Sequence, residues 1–392
     1  MALSPREILS HALSLRPLTE QTTATVHDWP TSTFRKIGFG QCGLVFTVPD
    51  QPHTVLKVAR PYFGESLYAD FLAHQSVESA FARRSDAVQS QVQLPSEYDF
   101  LPKPQPGLEG WSSQQWWDSN ISLFPPSTAS AGGSGTGGAS RYSTFHLPSE
   151  AVFTEHIPPL SKPIREALID LYCAPAKQAS VRADPANQDC LLRVYLGRRR
   201  PRDENGQPKV VANFGLRNYN LHLDQMLELG LDVHLFAQMM GAALADIHWG
   251  AGVDAFDVEF VLGGRRTVGL YANTDGAADL WLLDFNLCSR FNLDELLGDQ
   301  HDGLVEQLVH AFFANDPYYP RPRTQGEKGC EEGDISLWQV FANAYLDRAD
   351  EILRSENRPA YEDLRRLPER FITGCIVKQK TLPPGVDKIG VD

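Results

Sequence analysis

A segment near the middle of the chain gathers ionisable side chains between a helix pattern and a strand pattern. Within residues 244–263, His248, Asp254, Asp257 and Glu259 fall inside twelve positions. A group of charges this dense is costly to bury in an apolar core. The segment therefore predicts an acidic loop that is held by a helix at one end and a strand at the other.

The elements on either side of this loop are predicted from apolar periodicity. Asp232 is a suitable N-cap, and apolar residues then recur at i, i+3 and i+4 as far as Ile247, which indicates a buried helix of about sixteen residues. Gly250 ends this helix and places His248 in its last turn. Residues 260–262 form an apolar run before two glycines, which is typical of a strand.

Nearer the N-terminus, a glycine-rich turn separates two strand patterns. Gly38, Gly40 and Gly43 have the spacing G-x-G-x-x-G, and Lys57 lies twelve residues after Val45 in the next apolar run. Backbone N–H groups at such a turn can face phosphates. A plain glycine-rich hairpin would have the same sequence, so both interpretations stay open.

A helix pattern over residues 66–84 offers a partner for the lysine. Glu78 lies twenty-one residues after Lys57, and in kinase folds a helix glutamate pairs with the strand lysine. A surface charge is the alternative for Glu78.

A third motif follows the acidic loop. The apolar run at residues 280–283 leads into Asp284-Phe285-Asn286. The order of glycine turn, Lys57, Asp254 and Asp284 resembles that of protein kinases, in which a Gly-rich loop, a strand lysine, a catalytic loop and Asp-Phe-Gly follow one another. The resemblance implies an α+β, two-lobed kinase-like fold with a small β-rich N-lobe and a mainly helical C-lobe.

On this interpretation the chain has three parts. Residues 1–32 form a lead-in helix and connector, 33–157 the N-lobe, and 158–392 the C-lobe. Ser, Thr, Ala and Gly fill about 127–140, which predicts a disordered insertion in the N-lobe. A basic insertion is expected in the C-lobe at about 174–215.

The kinase motifs are incomplete. His248 stands six residues before Asp254 rather than two, Glu259 replaces a metal-binding Asn, and Asn286 replaces the last glycine. Three carboxylates could still coordinate Mg²⁺, but Glu259 would add negative charge beside the phosphates of ATP. Carboxylates also bind guanidinium groups in paired hydrogen bonds, so the loop fits a cationic ligand.

A purely structural interpretation of the acidic loop stays open as well. Asp254 or Asp257 could cap the loop backbone, while Glu259 could pair with Arg265 or Arg266.

Charge and composition exclude several classes of protein. The net charge of −13 argues against a general nucleic-acid binder, so DNA is not expected as a partner. The run Arg198-Arg199-Arg200-Pro201-Arg202 is a local basic patch or a solvated loop. The six cysteines form no C-x-x-C pair, so neither a zinc site nor a disulfide framework is predicted. No apolar stretch is long enough for a membrane span or a signal peptide, and a cytoplasmic location is expected.

Five stretches carry a second resemblance: His248-Trp249, Val253-Asp254-Ala255, Asp257 to Gly263, Asp316 to Pro322 and Leu367 to Ile372. With them, roughly residues 30–375 resemble a fungal family of formerly uncharacterised proteins that includes arginine-containing cyclodipeptide synthases. The block D-V-E-F-V-L-G at 257–263 is the most specific part. The resemblance implies an enzyme of secondary metabolism that joins arginyl-tRNA and a second aminoacyl-tRNA into a cyclo-Arg-Xaa diketopiperazine.

Roles for the candidate residues follow from this resemblance. Both amino acids arrive as activated esters, so no cofactor or metal is expected, and the enzyme must position an amine and accept its proton. One of Asp254, Asp257 and Glu259 would hold the guanidinium and another would act as base, with His248 orienting groups or relaying a proton. The remaining candidates would contact the substrate or its phosphates (Gly38, Gly40, Gly43, Lys57, Glu78, Asp284 and Asn286) or the tRNA backbone (Arg198, Arg199, Arg200 and Arg202).

Two competing hypotheses remain. One is an ATP- and Mg²⁺-dependent small-molecule kinase, with Lys57 on the phosphates, Asp254 as base, and Glu259 and Asp284 on the metal. The other is a pseudokinase that only binds a partner.

Overall fold

Helices and strands both contribute to the core of the chain, which is an α+β protein. The structure, a computed structural model, describes residues 3–15, 24–25, 32–84, 92–105, 112–126, 145–209, 213–266, 273–274, 278–296, 298–327, 330–355, 364–383 and 389. The predicted insertion at 127–140 lies outside the described residues.

Twelve strands are found in the described residues: β1 Ala24–Thr25, β2 Arg35–Phe39, β3 Gly43–Val48, β4 Gln51–Ala59, β5 Val92–Gln93, β6 Glu97–Leu101, β7 Ala151–Glu155, β8 Leu192–Tyr195, β9 Tyr219–His222, β10 Glu259–Gly264, β11 Asn273–Thr274 and β12 Ala278–Leu283. The α-helices in the same residues are α1 Pro5–Ala12, α2 Gly64–Ala82, α3 Ser112–Asn120, α4 Lys162–Tyr172, α5 Pro175–Ala183, α6 Leu223–Glu228, α7 Val233–Ala245, α8 His301–Ala314, α9 Asp334–Ser355 and α10 Leu367–Thr381. No described helix combines the length and apolar character that crossing a bilayer requires.

The first five-stranded sheet is antiparallel and has the order β2-β3-β4-β7-β6. Successive side chains of a strand point to opposite faces. Leu56 and Val58 therefore pack with Phe46 and with Trp117 of α3 in the core on one face, and Lys57, between them, projects from the other face. The predicted glycine hairpin is confirmed as the β2–β3 turn.

The second sheet has the order β5-β12-β10-β8-β9. Its central strand, β10, pairs antiparallel with both β12 and β8. The range 174–215, which was expected as a basic insertion, thus contributes a strand, β8, to the middle of this sheet. The register places Val261 opposite Arg193, so the Arg193 side chain can reach Glu259, a diagonal neighbour on the adjacent strand.

The buried helix before the acidic loop is confirmed. Asp232 caps α7 by accepting a hydrogen bond from the backbone N–H of Leu235 at 3.1 Å. The final turn, Asp246–Gly250, widens into a π-helix. Such turns are rare and are frequent at functional sites, and this one places Asp246 and His248 in the core with 0% and 1% of their surfaces exposed.

The contact between α7 and α9 depends on a glycine. A Cβ at Gly241 would overlap the backbone carbonyl oxygen of Phe341 on α9. We expect Gly241→Ala to lower the free energy of unfolding by about 1–3 kcal/mol, because backbone atoms must move apart. Gly303 on α8 is the matched control, since a Cβ there would meet no atom of the described residues outside its own helix within 4 Å, and alanine there should stabilise the helix by up to about 1 kcal/mol. Equal urea midpoints for the two variants would contradict the close contact.

Candidate functional site

A cavity of about 250 Å³ lies where the glycine hairpin, α2 and the second sheet meet. Its lining includes Gly38, Gly40 and Gly43 from the hairpin, and Glu259 and Asp284 from the ends of β10 and β12. Predicted residues that are distant in sequence therefore share one cavity. The glycines do so through a closed turn, in which the Gly40 N–H donates to the carbonyl oxygen of Gly43 at 2.8 Å.

Lys57 occupies the centre of an ion-pair network in this cavity. Its Nζ lies 2.6 Å from Asp70 Oδ2 and 3.0 Å from Asp284 Oδ1. Burial lowers the pKa of Lys57, but the two carboxylates outweigh burial and hold the pKa well above its usual value. The ammonium group therefore stays charged.

The partner of the lysine on α2 is Asp70, and the expectation that Glu78 fills this role is corrected. Glu78 follows Asp70 by eight residues, which is about 12 Å further along the helix axis. The lining of the cavity includes Asp70 but does not include Glu78.

Asp70 also fixes the turn that follows β12. Asp284 adopts a positive φ of 66°, and the backbone N–H of Phe285 donates to Asp70 Oδ1 at 2.8 Å. Asn286 is buried and its Nδ2 lies 3.2 Å from the Cys42 Sγ in the glycine turn. Asn286 thus joins the two motifs to each other and is not part of the cavity lining.

Glu259 is the one member of the predicted catalytic carboxylates that lines the cavity. Arg193 of β8 donates a hydrogen bond to its Oε1. Burial raises the pKa of Glu259 to about 7; the Arg193 charge lowers it, and Asp284 and Asp257 raise it. Arg193 also lies 3.4 Å from Asp316 Oδ2, in one of the stretches that carry the family resemblance.

Neither Arg265 nor Arg266 pairs with Glu259 as the structural interpretation had allowed. Arg265 lies 3.3 Å from Asp279, and Arg266 donates to Glu155 of β7. Both arginines follow β10, at the opposite end of the strand from Glu259.

Asp254 has a structural role. Its Oδ1 accepts hydrogen bonds from the backbone N–H groups of Phe256 at 3.1 Å and Ser289 at 2.9 Å, and its Oδ2 accepts from Gln307 Nε2 at 2.9 Å. The residue is 4% exposed and lies outside the cavity lining. Asp254 therefore caps the loop backbone, as the structural interpretation allowed, and the expectation that Asp254 acts as a base is corrected. Asp257 is half-buried with a φ of 64° and also lies outside the lining.

His248 is a core residue, and the expectation that it relays a proton is corrected. Its Nδ1 lies 2.9 Å from the hydroxyl of Tyr345, which also accepts a hydrogen bond from Trp249 Nε1 at 2.8 Å. Burial lowers the pKa of His248 to about 3, so the imidazole is neutral. The π-turn directs this side chain into the helical core and away from the cavity.

The basic run lies at a second concavity of about 200 Å³, which Arg199, Arg200 and Arg202 line together with Arg321 and Arg323. Carboxylates already pair with three of the predicted tRNA contacts. Arg199 pairs with Asp334 at 2.7 Å, Arg200 pairs with Asp224 at 2.7 Å and Glu228 at 2.6 Å, and Arg202 lies 4.0 Å from Glu331. Arg198 is not in the lining, and its carbonyl oxygen accepts a hydrogen bond from Leu223.

Several residues of the cavity escaped the sequence analysis: Asp70, His74, Glu97, Glu155, Asp189, Arg193 and Arg217. Asp70 had a usable signal, because it is a charged residue that follows Lys57 by thirteen positions on a predicted helix. Arg193 had one as well, since it interrupts the apolar run at residues 191–196.

One group of side chains in the described residues could surround a metal ion, with ligand atoms of Cys42, Asp70 and Asp284 within 4.8 Å of one another. Lys57 already contacts both carboxylates, and burial raises the pKa of the Cys42 thiol. These features do not favour a thiolate metal ligand.

A family model described as DUF3669, zinc finger protein, matches residues 280–357. No curated protein matches the chain. The matched segment runs from β12 through α9 and is well under half of the chain. A structural zinc site needs four Cys or His ligands around one ion. The described residues of this segment contain Cys288, His301, His310 and Cys330, but no three of them have ligand atoms close enough together to hold a metal ion. These residues do not fit a zinc finger.

Proposed function

We propose that the protein is an arginine-containing cyclodipeptide synthase that joins arginyl-tRNA and a second aminoacyl-tRNA in the cytoplasm. The observation that carries the proposal is the excess of carboxyl groups over cationic side chains in the cavity lining. Three lysine and arginine residues line it, namely Lys57, Arg193 and Arg217, against six carboxyl groups, namely Asp70, Glu97, Glu155, Asp189, Glu259 and Asp284. Carboxylate oxygens accept hydrogen bonds from guanidinium and ammonium groups, whereas the polyphosphate of ATP has no such donors to offer them.

The architecture is part of the same proposal. We interpret the antiparallel sheet with α2 as a kinase-like N-lobe, and the second sheet with the remaining helices as the C-lobe. Two features support a changed chemistry in such a scaffold. The loop aspartate, Asp254, is fully engaged in hydrogen bonds outside the cavity, and Glu259 is bonded to Arg193, which leaves neither placed for kinase chemistry.

The reaction needs no ATP at this site. The α-amine of one aminoacyl group attacks the ester carbonyl carbon of the other, a peptide bond forms, and the ribose hydroxyl of the tRNA that carried the attacked ester leaves. The α-amine that remains then attacks the second ester, a second peptide bond closes the diketopiperazine, and the ribose hydroxyl of the other tRNA leaves. Glu259, with a pKa near neutrality, takes the proton from the attacking nitrogen and returns it to the leaving oxygen. Arg193 holds this carboxylate in place.

The product decides between the hypotheses. We expect bacteria that express the protein to accumulate a diketopiperazine that contains arginine and is absent from cells with an empty vector. Mass spectrometry of the culture medium, with isotopically labelled arginine, measures it. Purified protein should form the same compound from charged tRNA, and ribonuclease treatment should prevent its formation. Absence of the product in both experiments would overturn the proposal.

The second candidate is an ATP-dependent small-molecule kinase, which the contact of Lys57 with Asp284 favours. Stabilisation of the protein against heat by Mg²⁺-ATP, without any diketopiperazine, would support it. A protein that gives neither signal would be a binding module.

A further inference from the structure

Glu97 stands apart from the other carboxyl groups of the cavity. Five of the six pair with lysine or arginine: Asp70 and Asp284 with Lys57, Glu155 with Arg266, Asp189 with Arg35, and Glu259 with Arg193. The Glu97 side chain is 5% exposed, and its ion-pair partner in the described residues is His74 on α2, with 3.3 Å between Oε1 and Nδ1. The other oxygen, Oε2, is buried without a hydrogen-bond partner in the same residues. An unsatisfied buried oxygen at a cavity wall is costly unless a ligand satisfies it.

The hydrogen bonds of His74 fix its tautomer. Its Nε2 lies 2.7 Å from the carbonyl oxygen of Pro95 and must donate to it. Since burial lowers the pKa of His74 to about 4, the ring is neutral and its Nδ1 carries a lone pair. That nitrogen can accept a proton from Glu97 Oε1, so the pair is complementary when the carboxyl group is protonated.

The surroundings keep Glu97 protonated in the free protein. Burial, together with the charges of Asp70 and Glu78 on α2, raises its pKa to about 9, although Lys57 opposes this shift. On the neighbouring strand β7, Glu155 is neutralised by Arg266. A cation that enters the cavity beside Oε2 would lower the pKa of Glu97 and ionise it, because an opposite charge favours the ionised carboxylate.

We propose that Glu97 is the contact that selects a cationic nitrogen of the substrate, a guanidinium or a primary ammonium group, and that His74 positions it. The group lies in the cavity of the proposed function, and the inference rests on that function only for the identity of the natural substrate. When the cation binds, the Oε2 atom accepts its N–H, and the proton of Glu97 leaves to solvent, because His74 with its lowered pKa does not hold a second proton at neutral pH. Selection then depends on charge as well as shape.

Small cations test this assignment by calorimetry at neutral pH. Agmatine carries both groups, butylguanidinium only the first, and pentylammonium only the second, while butylurea is an uncharged control. All three cations are fully protonated, so any proton released comes from the protein. We expect agmatine to bind with release of about one proton, as buffers of different ionisation enthalpy reveal, because a carboxyl group with a raised pKa ionises. Butylguanidinium and pentylammonium each carry one of the two groups. The compound whose binding also releases about one proton identifies the group that Glu97 selects.

Glu97→Gln is the decisive variant, since glutamine keeps a donor for His74 Nδ1 and imitates the neutral acid. Affinity for agmatine should fall at least about tenfold, as expected for a lost charged hydrogen bond, and proton release should disappear. Glu166→Gln makes the same chemical change outside the cavity lining, and it should bind as the parent does. Equal affinity in Glu97→Gln, binding of butylurea as tight as that of both butylguanidinium and pentylammonium, or no cation binding by the parent protein would overturn the assignment.

The failure of this inference and the failure of the proposed function are distinguishable. If the parent protein forms the diketopiperazine and Glu97→Gln binds agmatine unchanged, Glu97 does not select the cation, but the proposed function stands. Agmatine binding that depends on Glu97, without any diketopiperazine, would leave a cation site in a protein of another activity.

Discussion

Replacing Glu259 by glutamine is expected to lower the yield of the arginine diketopiperazine at least about a hundredfold, the usual effect of removing a general base. Glutamine has nearly the same shape and can still accept a hydrogen bond from Arg193, but it cannot take a proton from the attacking amine. The measurement is product per cell by mass spectrometry, with circular dichroism to verify folding. Glu166→Gln should leave the yield unchanged. Undiminished synthesis by folded Glu259→Gln would exclude Glu259 as the base.

The pH dependence of the purified enzyme provides a control for this assignment. Because burial raises the pKa of Glu259 to about 7, the base is protonated and inactive below that pH, and the rate should rise with pH through this region. Arg193 favours the ionised form of Glu259. In Arg193→Gln the rise should therefore move to higher pH. A rise that comes from titration of the substrate amine would stay where it is.

Replacing Asp246 by alanine is expected to lower the free energy of unfolding by about 3–5 kcal/mol. Asp246 is 0% exposed and binds two arginines that are themselves buried. Its Oδ2 accepts from Arg84 Nε at 2.9 Å, and its Oδ1 accepts from Arg348 Nε at 3.1 Å and Nη2 at 2.8 Å. Without the carboxylate, two charges remain in the interior with too few partners, and the end of α2, the π-turn and α9 lose their common link.

Urea denaturation measures this effect. Asp350→Ala is the matched control, because it removes an aspartate of α9 whose pairing with Arg354 is exposed. Its cost should be below about 0.5 kcal/mol. If both variants unfolded at the same urea concentration, the buried cluster would not contribute to stability as argued.

Local pattern was enough to predict the elements that carry the site. The α7 helix with its Asp232 cap, the β2–β3 glycine turn and the strand that precedes Asp284 all follow from apolar periodicity and turn residues. These signals are encoded within a few neighbouring positions, and the burial of an apolar face depends on them directly.

Such local patterns could not predict which side chains from distant parts of the chain would contact one another. Glu78 and Asp70 are both acidic residues of α2, and only the rotation and position of that helix against β4 decide which one meets Lys57. Likewise, Asp254 and Glu259 lie in the same acidic segment, yet one caps a loop and the other lines the cavity.

By itself, the sequence determined that a glycine turn, a lysine strand and an acidic loop would be formed, because hydrophobic periodicity and backbone preference act between near neighbours. Tertiary structure alone decided which carboxyl groups face the cavity and which are neutralised, because the charge state of a buried acid depends on groups from distant parts of the chain. Glu97 illustrates the difference: its environment is set by His74, Asp70 and Lys57, and nothing in its own segment distinguishes it from a surface glutamate.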